Sequence, residues 1–476
     1  MSTPGDMLRP VGMLEKLYTA RQVLNIYHSV IVTATYTLGS SLDNNALYAL
    51  FFATIPELLH RHPSLCCYVE GGDTSKPQFR RLKSIEVKDV LQIRSLEEHE
   101  SFAEILQYLH DQQWSFQQKP LWKLVVLREG HDVEETSNPI KLHLAFVYHH
   151  VIGDGLSGTA FHRSLQSTLS EIESSNQELE EAPEMIDTPV LIELSDPIEK
   201  LTSLPLSWMF LGKQVLDEYV PQWLTGAPLP VWAGLPTQTL DTCPFRSRNR
   251  VVTIQADEVG ILLEESRKHG VSLTSLLTAS IVSTLANSLP GAPNFRGSTT
   301  YTLRRVTGTS MDEMVNQSTA LMTSYPAEFL NRVRKPSNAT ARAESLWVSA
   351  AILHRQLQAE IASCPGNNLV GLLPYVIDHV EFYRKKFGKA REVTWELSNL
   401  GGFKTDQEAL SKNWRLQSMT FTQGAQPVGP AFCVNCVSVQ DGPLTIALTW
   451  QESIVDQSTI DALAQGFTDL PSLLRQ

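Results

Sequence analysis

Apolar positions along the chain follow two rhythms. Lys141–Tyr148 (KLHLAFVY) is almost continuously apolar over the length of one strand, which predicts a strand covered on both faces. From Leu156 onward the apolar residues fall at 156, 160, 161, 165 and 169, a helical spacing. Ser272–Leu289 is apolar or small nearly all round and predicts a buried helix. Between Ala431 and Gln451, Asp441-Gly442 separates two β-rich runs, a hairpin pattern. Strands and helices alternate in both halves, so the expected class is α/β (or α+β) with mixed sheets.

A chain of 476 residues is too long for one core, and two domains of about 200 residues are expected. Glu171–Glu184 (EIESSNQELEEAPE) is acidic and poor in apolar residues, and prolines are frequent from Pro189 to Pro244. These shifts place an N-terminal domain over 1–185, a connecting segment over 186–245 and a C-terminal domain over 246–476. The most apolar stretch, Leu204–Leu224, is broken by Lys213, Asp217 and Glu218. A membrane span needs about 20 uninterrupted apolar residues, so a buried amphipathic helix is expected instead. The alternative use of its Trp208, Met209, Phe210 and Trp223 is contact with a membrane interface or a groove. Met1–Arg9 lacks the apolar core of a secretory signal.

Composition narrows the classes further. Hydrophobic residues make up 42% and charged residues 19%, ordinary globular values. A formal charge of −12 argues against nucleic acid or an anionic membrane as the main partner. Six cysteines are too few for a disulfide scaffold. Cys66 and Cys67 are adjacent. Cys433 and Cys436 spell CxxC within a predicted strand, where side chains three apart point to opposite faces, so neither a redox pair nor half a zinc site is expected. Reduced thiols and a cytoplasmic location follow.

The candidate chemistry lies in His149-His150-Val151-Ile152-Gly153-Asp154-Gly155. A buried strand delivers two histidines to its end, a glycine-flanked turn follows, and then a helix. Adjacent strand residues face opposite ways, so one histidine can reach a cleft while the other faces the domain body. A neutral imidazole held there suits proton abstraction from an alcohol, amine or thiol. The glycines would permit backbone angles that other residues resist. Two adjacent histidines and one aspartate leave too few convergent ligands for a metal. Neither GxSxG, a P-loop nor GxGxxG occurs in a credible context.

HHxxxDG is the signature of the chloramphenicol-acetyltransferase-like superfamily, which includes plant BAHD acyltransferases, condensation domains and fungal alcohol acetyltransferases. The sequence resembles the fungal alcohol acetyltransferase branch in three further stretches: Arg9-Pro10-Val11-Gly12 with Glu15 and Tyr18, Trp395–Gly401 (WELSNLG), and Phe421-Thr422-Gln423. The DFGWG motif of the plant branch has no counterpart, Phe387-Gly388-Lys389 being the nearest string.

The resemblance implies two similar domains, each a sheet backed by helices, with a tunnel at their interface. The catalytic base would be His150. Asp154 would take a structural role in the same motif by pairing with an arginine (Arg304 or Arg305), beside His149 and Gly155. Donors to the oxyanion would come from Ser398, Asn399, Thr422 or Gln423, with Thr422 or Ser398 preferred because a small hydroxyl leaves the tunnel open. Acyl-CoA, chiefly acetyl-CoA, would be the co-substrate and a small hydrophobic alcohol the acceptor. Arg384–Arg391 (RKKFGKAR) offers Lys385, Lys386, Lys389 and Arg391 to the CoA phosphates. A monomer is the default, since two domains complete one site. Peripheral association with the endoplasmic reticulum or lipid droplets is the branch's second location. Two other readings stand beside this one: a condensation-type enzyme using a carrier-bound thioester or an amine, and a non-catalytic relative that binds a ligand.

Overall fold

The structure, a computed structural model, describes residues 6–39, 42–97, 99–129, 139–175, 183–212, 231–239, 244–334, 338–404 and 414–475. It is a mixed α/β fold built on two main sheets. The first has five strands in the order Trp414–Gln423, Val30–Leu38, Ile140–Tyr148, Trp122–Glu129, Leu91–Ser95. The second has six: Ser247–Ile254, Leu444–Gln451, Phe432–Val439, Trp395–Phe403, Phe295–Thr302, Ser318–Tyr325. Both mix parallel and antiparallel pairs.

The apolar strand lies at the centre of the first sheet and is buried on both faces from Leu142 to Tyr148. One face packs on the helices Asn44–Arg61 and Gly155–Ser175, the other on Phe102–Asp111. In the second sheet the helix Leu273–Ser288 is enclosed between Ala339–Ser363 and Gln457–Leu474, which is why its sequence is apolar or small all round. The Asp441-Gly442 turn joins Phe432–Val439 to Leu444–Gln451, with Asp441 in the left-handed region at φ 56°. Cys433 and Cys436 lie buried and unbridged on that hairpin.

One strand crosses between the sheets. Trp414–Gln423 pairs antiparallel with Val30–Leu38, from Trp414 opposite Leu38 to Gln423 opposite Val30. The late sequence thereby contributes an edge strand to the first sheet, an exchange that a linear division at 185 and 246 does not contain. Within the connecting segment, Met185–Asp187 pairs with Ser84–Glu86. The expected buried helix over Leu204–Leu224 is corrected in its described part: Trp208 is 89% exposed and Met209 84%. Trp223 lies outside the described residues. Among the described residues no single helix is long and apolar enough to cross a membrane.

Candidate active site

The motif turn sits where the first sheet meets the second. The central strand ends at Tyr148, and His150–Ile152 forms a single tight turn before the helix Gly155–Ser175 begins. His150 is buried, its ring stacked on Tyr18 with centroids 3.7 Å apart and planes within 8°. Tyr18 is brought there by the opening helix Met13–Val23. A fork of Arg9 onto Glu15 (2.7 and 2.8 Å) and the Gly12 N–H donated to Glu15 Oε2 (2.6 Å) anchor that helix. Asn316 Nδ2 donates to the His150 carbonyl at 2.8 Å.

Burial holds the His150 imidazole neutral and lowers its pKa to about 4, although a hydrogen bond to its own carbonyl and the nearby Asp154 act in the opposite sense. Nδ1 lies 3.4 Å from Asn316 Nδ2, whereas Nε2 meets no hydrogen-bond partner among the described residues. His149 faces the other way. It is fully buried, its Nδ1 accepts from Val151 N (3.1 Å), and its ring meets Phe116 edge-on.

Asp154 ties the turn to the second half of the chain. Its Oδ1 receives Arg304 Nη2 at 2.7 Å, in an ion pair whose two side chains are 3% and 0% exposed. It also caps the motif helix: Ser157 N donates to Asp154 Oδ1, and Asp154 N to Ser157 Oγ, both at 3.1 Å. Gln317 N donates to Oδ2 at 3.1 Å. Arg304 in turn donates to the carbonyls of Ser310 and Glu313. Of the two arginines expected here, Arg304 is engaged and Arg305 is exposed. The glycines act differently from expectation. Gly153 has an extended backbone (φ 179°), and what it and Gly155 supply is room. A Cβ on Gly155 would lie 2.7 Å from Leu400 Cδ2 and 3.1 Å from Phe421 Cζ.

A cavity of about 710 Å³ opens between the sheets and is lined by His150, Tyr18, Glu396, Ser398, Phe421 and Gln423, among others. Ser398 and Asn399 both line it. Ser398 Oγ accepts from Thr300 Oγ1 (3.0 Å) and Gln423 Nε2 (3.3 Å), leaving its own hydroxyl proton to give. Asn399 is tied to Thr274 Oγ1 and Gly401 N. Gln423 accepts from Tyr27 Oη at 3.1 Å and donates to Asn435 at 2.9 Å. Thr422 is corrected. Strand alternation sends it to the opposite face from Phe421 and Gln423, where its hydroxyl bonds His110 Nε2 at 2.8 Å, buried beneath the first sheet.

The basic stretch also divides. Arg391 is buried and spends its guanidinium on the carbonyls of Leu235, Gln426, Pro427, Gly429 and Pro430, so it is a loop clamp and not a phosphate ligand. Lys385 and Lys389 are exposed, and Lys386 pairs with Glu392 at 3.4 Å. None of these four lines the cavity. Two cavity residues escaped the sequence reading of candidate groups, Arg21 and Glu396. Glu396 was legible in principle, because it stands two residues before Ser398 on a strand and so shares its face. Among the described residues no group of three His, Cys, Asp or Glu is placed to hold a metal.

A histidine-bearing turn is thus wedged between two mixed sheets, with its aspartate locked to an arginine of the other half. The chain belongs to the alcohol acetyltransferase family, whose model matches residues 10–470. It is 24% identical to a probable alcohol acetyltransferase, FCK4, of Fusarium pseudograminearum, over 96% of this chain and 93% of that one. Identity to the probable alcohol acetyltransferase crmB of Aspergillus fumigatus is 23%, covering 96% and 97%. Among solved structures, the TRI3 trichothecene 15-O-acetyltransferase of Fusarium sporotrichioides shares the fold with a TM-score of 0.71 at 14% identity, covering 98% of this chain and 95% of that one. The condensation domain of the monacolin K polyketide synthase MokA does so at 0.62 and 13%, covering 99% and 97%.

Proposed function

We propose that the protein is an O-acyltransferase that moves an acetyl group from acetyl-CoA to a hydroxyl of a small, largely apolar natural-product acceptor, with His150 as general base. The observation that carries this reading is the buried, neutral His150 on the wall of the inter-sheet cavity, with no hydrogen-bond partner on Nε2 among the described residues. Nε2 takes the hydroxyl proton as the acceptor oxygen attacks the thioester carbonyl. The tetrahedral intermediate then collapses, the C–S bond breaks, and the imidazolium returns the proton to the CoA thiolate. No acyl-enzyme forms, so no cysteine or serine serves as nucleophile. The Ser398 hydroxyl, pinned by Thr300 and Gln423, is the favoured oxyanion donor; such a donor is worth ~2.7–4 kcal/mol. The alcohol acetyltransferase names of the curated relatives favour a hydroxyl acceptor.

Mass spectrometry of the purified protein with acetyl-CoA and a panel of alcohols and amines tests this. Esters are expected; amides alone, or transfer only from a carrier-bound thioester, would replace the acceptor or donor assignment. The pH profile is a second check. A base must be unprotonated, and burial lowers the His150 pKa to about 4. The acid limb of kcat/KM is therefore expected near pH 4, well below the ordinary histidine value of ~6.5. A limb at 6 to 7 would assign the base to a more exposed group.

A further inference from the structure

The cavity wall carries a guanidinium and a carboxyl that acyl transfer does not use. Arg21, in the last turn of the opening helix, lies among three aromatic rings, 5.4 Å from the Tyr18 centroid, 5.5 Å from Tyr27 and 5.0 Å from Tyr383. Its Nε donates to Tyr383 Oη at 2.8 Å. Among the described residues its Nη groups have no hydrogen-bond partner, and no carboxylate stands within ion-pair distance. Glu396, across the cavity on the second sheet, receives only Gln423 Nε2 at 3.4 Å among those residues. Burial raises its carboxyl above the usual range, against the opposing influence of Arg21. A guanidinium stays charged and presents a planar fork of donors suited to oxygen. Part-buried on the cavity wall without a carboxylate partner, it is open to an acceptor group placed in the cavity.

Position separates the two substrates. The cavity is open where Gly401, Gly402 and Met311 are exposed, and the large, charged nucleotide of CoA must stay at an open end. Arg21 and His150 both pack on the Tyr18 ring, the guanidinium 5.4 Å and the imidazole 3.7 Å from its centroid, so Arg21 faces the part of the cavity beside the base. We propose that the acceptor carries, besides the hydroxyl that is acylated, a second oxygen group, carbonyl or carboxylate, which accepts from the Nη groups of Arg21 while Glu396 contacts a neighbouring polar hydrogen. This rests on the acyl-transfer reading and sharpens it: the acceptor is an oxygenated alcohol, not a hydrocarbon one.

The test uses three probes of matched chain length: decanol, its β-hydroxy acid counterpart and its β-hydroxy methyl ketone counterpart. Binding by isothermal titration calorimetry and kcat/KM with acetyl-CoA are measured for wild type, Arg21→Gln, Arg21→Lys and Glu396→Gln, with near-ultraviolet circular dichroism as the folding check. Wild type is expected to bind an oxygenated probe about ten- to a hundredfold more tightly than decanol, the range of one or two hydrogen bonds to a charged group. Arg21→Gln should erase that ratio and Arg21→Lys restore part of it. Preference for the acid or the ketone identifies carboxylate or carbonyl. Equal binding of all three probes by wild type, a ratio that survives Arg21→Gln, or weakened acetyl-CoA binding in that variant would overturn the proposal. Selective binding without any ester would leave the Arg21 site standing and defeat the acyl-transfer reading instead.

Discussion

Alanine at position 150 is expected to lower ester formation by about 10²–10⁴-fold, the usual contribution of a positioned general base. The fold should survive. His150 is neutral and buried, and its ring contacts include the stack on Tyr18 and the Asn316 amide, which holds the backbone carbonyl in any case. Truncation therefore removes no buried charge and leaves the Asp154–Arg304 clamp in place. Initial rates of ester formation, set beside near-ultraviolet circular dichroism, separate loss of the base from loss of structure. A variant that keeps its dichroism and acylates within a few-fold of wild type would place the base elsewhere.

The second large effect lies four residues further on and works through stability. Asp154→Ala strands Arg304 with its charge buried between the two halves of the chain, where both side chains are almost wholly inaccessible. Breaking a buried pair from one side costs ~3–5 kcal/mol. Loss of the helix cap at Ser157 adds about 1 kcal/mol. Urea unfolding followed by tryptophan fluorescence should show a clearly lower midpoint. The double variant Asp154→Leu/Arg304→Met should recover much of the loss, because an apolar pair of similar volume is often neutral or stabilising. A single-variant cost below about 1 kcal/mol would mean that the ion pair does not hold the turn to its partner loop.

Much of this was legible in the sequence where the signal was local. The run Lys141–Tyr148 is apolar because helices cover both its faces, and Ser272–Leu289 because two helices enclose it. Arg304 was one of two arginines at the end of a predicted strand, Arg304 and Arg305, to which the family resemblance pointed as a partner for Asp154. Other features depend on contacts that no window contains. Trp414–Gln423 has strand character, but nothing in it says that it will leave the neighbouring sheet and pair with residues 30–38. Without that pairing, the face of Thr422 could not be assigned, and the hydroxyl favoured for its size proved to belong to His110. Arg391 sits in a basic run that resembles a phosphate site; only the path of the 426–430 loop shows that its donors are already spent. Arg21 drew no attention on a helix rich in ordinary polar residues, since its meaning comes from Tyr383, more than 350 positions away. Trp208 and Met209 followed the composition of a buried helix, yet the chain places them in solvent.

The central claim is direct transfer from a thioester to an acceptor hydroxyl, driven by His150 with no covalent enzyme intermediate. A single-turnover experiment tests it most directly: wild type and His150→Gln are mixed with acetyl-CoA and an accepted alcohol, and the ester and the intact protein mass are followed together. The expected result is rapid ester formation by wild type with the protein mass unchanged throughout, and little ester from His150→Gln. An acetylated protein that forms and decays at the rate of turnover, or ester made at the wild-type rate by His150→Gln, would contradict the account.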